Sequence, residues 1–332
     1  MATARQFHAA ALLTNGTVLV VGGTSVKGEL ASVERYDPAS NCWCAASPLA
    51  TARYYHSVTR LNNGCALVVG GFNGIPLSDA ELYDPDANRW RTAGSLSLVR
   101  GLHSATLLAD GQVLVTGGYA ADGTCSGAEM YDPVGNAWRR VRSPGACSDY
   151  HTASRLKDQS VVLAGGAGSR GAVAAVELYD PMWNTWRVAP ALLTQRLRHT
   201  ATLLDDGRLL VAAGDDGASN YQSSAELYDP ISHQWSAAGN LLAGREYCTA
   251  TLLARDRVLI VGGDGSAGRL ASAEMYDAAD NVWRTAGHMA EARYLHTATR
   301  LLDGRVLIAG GVGTRGALAS VEIFTLSDMS YP

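Results

Sequence analysis

Six of the eight histidines recur at a near-constant interval: His8, His56, His103, His151, His199 and His296. Imidazole is the commonest biological metal ligand and titrates near neutral pH, so such a series raises metal or proton chemistry first. An Arg stands three residues before five of them, as Arg5, Arg53, Arg100, Arg196 and Arg293, whereas His151 follows Ser148 and Arg245 is followed by Cys248. A ring with one histidine per unit holds most of them too far apart for a single ion. His56, His103, His151, His199 and His296 are therefore expected to be structural, each bonded to a neighbouring strand, with a metal at the central channel as the alternative. No cofactor is expected.

A Glu-x-Tyr pair recurs as well, at Glu34/Tyr36, Glu81/Tyr83, Glu129/Tyr131, Glu177/Tyr179, Glu226/Tyr228 and Glu274/Tyr276, with Glu322/Phe324 as its last echo. Chemistry seldom needs seven copies of one carboxylate. The recurring Glu and Arg read instead as a buried ion pair, each charge needing the other to offset its desolvation.

Residues that differ between units at one equivalent place are free to carry function. Between the recurring Arg and His, and just after the recurring glycines, stand Tyr54, Tyr55, Phe72, Tyr119, Tyr150, Arg198, Asp215, Asp216, Glu246, Tyr247 and Tyr294. Tyr offers contact area and a hydroxyl at low entropic cost, so this set is the expected ligand surface. It divides into an aromatic sector in units 1 to 3 and an acidic one in units 4 to 6, where Asp149 and Asp264 join Asp215, Asp216 and Glu246 around Arg198. If the protein is an enzyme, Asp149, Glu246, Tyr247 and Cys248 are the acid, base and nucleophile candidates. The chain carries no phosphate-cradling glycine loop, no His-Glu-x-x-His run and no nucleophile elbow. Cys42-Trp43-Cys44 would put two sulfurs on one strand face, a slender basis for a metal or redox pair.

What positions these residues is a tandem repeat. An apolar run ending in glycine returns seven times, closing at Gly23, Gly71, Gly118, Gly166, Gly214, Gly263 and Gly311, in steps of 47 to 49 residues. The units span approximately 1–48, 49–95, 96–143, 144–191, 192–240, 241–288 and 289–332, and form one domain. Each carries four strand signals, a to d. Asn15-Gly16, Asn63-Gly64, Asp110-Gly111, Asp206-Gly207 and Asp303-Gly304 suit tight a–b hairpins that need positive φ. Lys157-Asp158-Gln159 and Arg255-Asp256 are expected to turn less tightly. Asp-Pro follows strand c in most units, and a Trp marks strand d: Trp43, Trp90, Trp138, Trp186, Trp235 and Trp283.

Double glycine, then Tyr, then Trp, in four-stranded units of this length, resembles the kelch-repeat β-propeller family. The resemblance covers essentially the whole chain. It implies an all-β, seven-bladed propeller of four-stranded antiparallel blades, with strand a lining the channel and strand d on the rim. Blade 7 is expected to lack its outer strand, because residues 326–332 contain no Trp. For function the family implies a recognition module that binds a peptide, protein or glycan across the top face. The alternative it implies is an enzyme over the central channel, since related propellers occur in sugar-acid epimerases and copper radical oxidases. That leaves an epimerase-like enzyme or another isomerase, lyase or cyclase, with or without a metal. A further domain, which the oxidase chemistry would need, does not fit this length.

Composition bounds the rest. A net charge of −4 and a pI near 6.1 give no electrostatic case for nucleic acid. With 47% hydrophobic and 17% charged residues and no bilayer-length apolar run, a soluble monomer without membrane insertion is expected. The first repeat begins at once, as in a cytoplasmic protein or one whose export signal has been trimmed. The six cysteines have no recurring place and are expected to be mostly reduced.

Overall fold

The computed structural model describes residues 1–120, 127–146, 148–169 and 171–325. Seven antiparallel sheets are arranged radially as a seven-bladed β-propeller, and the described residues contain no helix. Blade 1 shows the plan: strand a is Ala9–Leu12, b is Val18–Val21, c is Val33–Asp37 and d is Cys42–Ala46, hydrogen-bonded in the order a-b-c-d. Strand b is buried along its whole length, which is why it reads as an unbroken apolar run rather than an alternating one. The seven a strands contact one another in sequence around the axis and so wall the channel.

Packing occurs between blades. Leu19, Val21 and Val33 of blade 1 form one core with Ala66, Val68 and Tyr83 of blade 2, while Val18, Val20 and Tyr36 pack on Leu301 and Leu307 of blade 7. Each strand-c Tyr stacks on the Trp of its own blade, as Tyr83 on Trp90 with centroids 4.9 Å apart. The indole N–H then reaches back to the preceding blade: Trp90 donates to Ser47 O, Trp138 to Ala93 O and Trp235 to Pro190 O. A repeat thus buries its aromatics only against a neighbour.

The ion pairs run through six blades. Arg5, Arg53, Arg100, Arg196, Arg245 and Arg293 are fully buried and meet Glu34, Glu81, Glu129, Glu226, Glu274 and Glu322. Each guanidinium also donates to the carbonyl at the first position of the recurring glycine pair, for example Arg53 Nη1 to Gly70 O at 2.9 Å. Blade 4 has Ser148 instead, whose hydroxyl donates to Gly165 O at 3.0 Å. The glycines are favoured by space and by conformation, although blade 5 holds Ala213 at φ +63° in the first position. At Gly22 (φ +58°) an added Cβ would lie 2.5 Å from Arg53 O, and at Gly23 (φ +96°) 2.5 Å from Gln6 O.

The expectation of a looser turn is corrected at Lys157-Asp158-Gln159, whereas Arg255-Asp256 keeps the span but departs in conformation. Leu156 N donates to Ser160 O and Leu253 N to Arg257 O, closing the same five-residue span as Leu13 N to Thr17 O. Gln159 at φ +76° takes the conformation that glycine holds elsewhere, and Arg255 and Asp256 are both left-handed. The neighbouring strands impose the turn that the residues alone do not favour.

Blade 7 has three described strands, Thr297–Arg300, Val306–Ala309 and Val321–Phe324; residues 326–332, on which its expected lack of an outer strand turns, lie outside the described residues. The ring closes on blade 1, where Arg5 N donates to Leu318 O and Gly311 N to Arg5 O.

Candidate functional site

The residue before each recurring histidine position is left-handed: Phe7, Tyr55, Leu102, Tyr150, Arg198, Tyr247 and Leu295 have φ between +50° and +59°. Bulky side chains seldom adopt this conformation without compensation. Here the compensation is a hydrogen-bond belt around the axis. Tyr55 N donates to Phe7 O, Leu102 N to Tyr55 O, Tyr150 N to Leu102 O, Arg198 N to Tyr150 O, Tyr247 N to Arg198 O and Leu295 N to Tyr247 O, at 3.1 to 3.4 Å. The belt holds these side chains over the channel mouth. Tyr55, Leu102, Tyr150, Arg198 and Tyr247 line a depression there of about 290 Å³, with His56, His103, His151, His199 and Cys248 at its wall.

Three of the tyrosines come from alternate blades. Tyr55 and Tyr150 meet edge to face with centroids 6.2 Å apart, and Tyr150 and Tyr247 at 6.0 Å. Burial, and then the neighbouring phenols, push the pKa of Tyr55 and Tyr247 well above the ordinary range, so both are neutral hydroxyls. Phe7 stacks on Tyr55 at 4.3 Å, and Tyr54, Phe72 and Tyr119 extend the aromatic surface outward through contacts of 5.6 and 6.5 Å.

Arg198 packs over both Tyr150 and Tyr247, its Cζ 4.9 and 5.0 Å from the two ring centroids. Its Nη1 meets Asp215 Oδ2 and Glu246 Oε2, each at 2.9 Å. Burial opposes the guanidinium charge, but the bond to Glu246 and the nearby negative groups outweigh it and raise its pKa. Glu246 is itself buried, and burial together with the adjacent Asp215 raises its carboxyl to about 7 against the opposing pull of Arg198. Burial likewise raises Asp149. Asp216 is engaged within its own loop, accepting from Ala218 N and Asn220 Nδ2. Tyr294 carries Arg269 over its face at 5.6 Å and contacts Tyr247 at 6.2 Å.

The histidines are held one per blade. His103 Nε2 meets Ser57 Oγ, His151 meets Ser104, His199 meets Thr152, His296 meets Thr249 and His8 meets Thr297, at 2.8 to 3.1 Å, always in the preceding blade. His56 finds no partner for either ring nitrogen. Ala9 stands where the others have a hydroxyl. Burial lowers His8, His103, His199 and His296 to about 3 and His151 to about 4, and lowers His56 well below the ordinary value, so the imidazoles are neutral. Among the described residues no three His, Cys, Asp or Glu side chains gather as a metal centre would require. The Cys248 thiol is pushed up to about 11 by burial, which leaves it protonated at neutral pH. Cys42, Cys44, Cys65 and Cys248 are free, and Cys125 and Cys147 lie outside the described residues.

The kelch motif model matches residues 7–50, 52–97, 100–145 and 196–242, together more than half of the chain. This protein belongs to the kelch-repeat family. No curated protein sequence matches it. Solved structures share the kelch propeller's fold at low identity. One is a fungal alcohol oxidase of the AA5 family in complex with copper, 17% identical, with a TM-score of 0.80 over 97% of this chain and 74% of that one. Another is YjhT, also 17% identical, with a TM-score of 0.67 over 86% of this chain and 99% of that one. At such identity the likeness speaks to the fold alone.

Of the residues singled out in the sequence, the kelch propeller brings Tyr55, Tyr150, Arg198, Asp215, Glu246 and Tyr247 together at the mouth, with Asp149 beside them. It sets Tyr54, Phe72, Tyr119 and Tyr294 around them. Phe7, Leu102 and Leu295 complete the belt; they stand at the same variable positions but were not among the candidate ligand residues. Their signal was positional, since each is the residue just before the recurring His or its replacement.

Proposed function

We propose that this kelch propeller is a recognition module whose ligand, a peptide, protein or glycan, seats in the channel mouth on its top face. The observation that carries this reading is the convergence of the unit-specific side chains Tyr55, Tyr150, Arg198 and Tyr247 on one depression, while the residues that recur in every blade are consumed by the scaffold. Rigid aromatic anchors backed by a polar rim are what interface energetics favour. Peptide and glycan arrays probed with the wild type, Tyr150→Ala and Tyr247→Ala test it. Ligands retained by the wild type and lost by both variants are expected; undiminished retention by the variants overturns the reading.

A second reading rests on Glu246. A carboxyl raised to about 7 beside a second carboxylate is suited to general acid–base work at neutral pH. An enzyme of this kind would act over the same mouth, and Glu246→Gln would abolish turnover while sparing ligand affinity. Copper, as held by the fungal oxidase, does not fit the donor set described above. The imidazoles lie in separate blades, five of them bonded to hydroxyls, and the buried phenols resist ionisation.

A further inference from the structure

Resting on the recognition reading, the chemistry of the mouth narrows the class of ligand. An anionic ligand would look to Arg198. That guanidinium is matched by two carboxylates on one nitrogen and flanked by Tyr150 and Tyr247, so its charge is largely compensated although its buried Nε has no partner. Two further carboxylates, Asp149 and Asp264, lie in the same sector, and Arg269 stands opposite Asp264 over Tyr294. Asp149 is half-buried beside Tyr150, within electrostatic reach of Arg198, and no other described residue donates a hydrogen bond to its carboxylate. Among the described residues the Asp264 carboxylate meets only the Tyr221 hydroxyl, at 3.5 Å.

The rings show a matching preference. Two of the chain's own cations already lie over mouth tyrosines, Arg198 over Tyr150 and Tyr247, and Arg269 over Tyr294. The aromatic sector of Tyr54, Phe72 and Tyr119 carries no described cation of its own, and Tyr119 is 42% exposed. A ring face attracts a cation most strongly where water is partly excluded. This sector reaches the mouth through Phe72, 6.4 Å from Tyr55, and Tyr55 in turn meets Tyr150, the chain neighbour of Asp149.

We propose that the mouth recognises a cationic group on a flexible or apolar stem, an ammonium or guanidinium such as ends a Lys or Arg side chain of a peptide. The rings of Tyr55 and Tyr150 take the stem and the face of the cation, and Asp149 is its counter-ion. The neutral phenol oxygens accept its N–H groups.

The test is calorimetric titration of the full chain with penta-arginine, penta-glutamate and maltopentaose in low and in 0.3 M salt. Penta-arginine is expected to bind and the other two not, with affinity falling at the higher salt as charges are screened. Asp149→Asn is expected to weaken penta-arginine about fivefold or more, since it removes the counter-ion and leaves the rings. Asp110→Asn, at an a–b turn on the opposite face, should change nothing, and matched thermal midpoints confirm that both variants are folded. Failure of penta-arginine to bind, or equal affinity in Asp149→Asn, overturns the cation assignment. If maltopentaose or penta-glutamate binds and is lost in Tyr150→Ala, the recognition reading stands and the cation falls. If penta-arginine binds equally to the wild type, Asp149→Asn and Tyr150→Ala, the mouth is not its site and both readings fall.

Discussion

Arg198 Nη1 lies 2.9 Å from Glu246 Oε2, and these two residues come from neighbouring blades. The bond ties blade 5 to blade 6 at the channel mouth, with Asp215 completing the set. Because Glu246 is buried, cutting the pair leaves Arg198 with Asp215 alone. Arg198→Ala strands two buried carboxylates and should cost about 3 kcal/mol or more. Glu246→Gln keeps the hydrogen bond and removes only a charge that is half-protonated near pH 7, so it should cost about 1 kcal/mol or less. Chemical denaturation of the two variants checks the contrast, and equal costs would contradict the geometry.

Glu246 and the histidines pull stability in opposite directions with pH. Glu246 has a folded pKa above its unfolded value, so its contribution is present below about pH 4.5 and is lost as pH rises toward 7. The histidines have folded values near 3 to 4, below the unfolded 6.5, so their contribution is present above 6.5 and is lost as pH falls. Several histidines outweigh one glutamate. The thermal midpoint should therefore fall between pH 7 and pH 5, and Glu246→Gln should make that fall slightly steeper, because it removes the opposing contribution. A midpoint that rises on acidification over this range contradicts the buried neutral imidazoles.

His56 is the histidine for which the preceding blade supplies no hydroxyl. Ala9→Ser places one where Ser57 serves His103 and Thr152 serves His199. Satisfying a buried ring nitrogen should stabilise the protein by about 1 kcal/mol. The same change made in reverse, Thr152→Ala, should destabilise by a similar amount. Urea unfolding of both variants reads the signs, and a destabilised Ala9→Ser would show that the blade 1–2 interface lacks room for the hydroxyl.

Arg100 and Glu129 are 2.9 Å apart, with Arg100 fully buried and Glu129 nearly so. Arg100→Met leaves Glu129 holding a desolvated charge and the Gly117 carbonyl without its donor, which should cost about 3 to 5 kcal/mol. In Arg100→Met/Glu129→Gln the uncompensated charge is gone, so the double variant should be more stable than Arg100→Met alone. If it is not, the ion pair does not account for the cost.

Much of the fold was legible because each blade repeats the same local chemistry. The glycine pair, the strand-c Tyr and the strand-d Trp mark positions where sterics and packing allow few alternatives, and recurrence of each in six of the seven units reveals them without any other sequence. The Arg–Glu pairing was readable for the same reason, since both partners recur. The turn at Lys157-Asp158-Gln159 was misread, because local propensity is overruled there by strands already paired on both sides. The site was legible only as a set of unit-specific residues. Which of them meet is decided across the axis: Tyr55, Tyr150 and Tyr247 lie almost a hundred residues apart in turn, and no periodicity reports a contact between alternate blades. Their left-handed conformation is equally invisible in the chain, because the hydrogen bond that supports it comes from a carbonyl of the preceding blade. The sequence by itself determined the blades and the scaffold residues that recur in them, because those contacts are local and repeated; the tertiary structure alone decided that Arg198 would be shared by Asp215 and Glu246, because that contact forms once, between two blades, in the low-dielectric mouth that the ring creates.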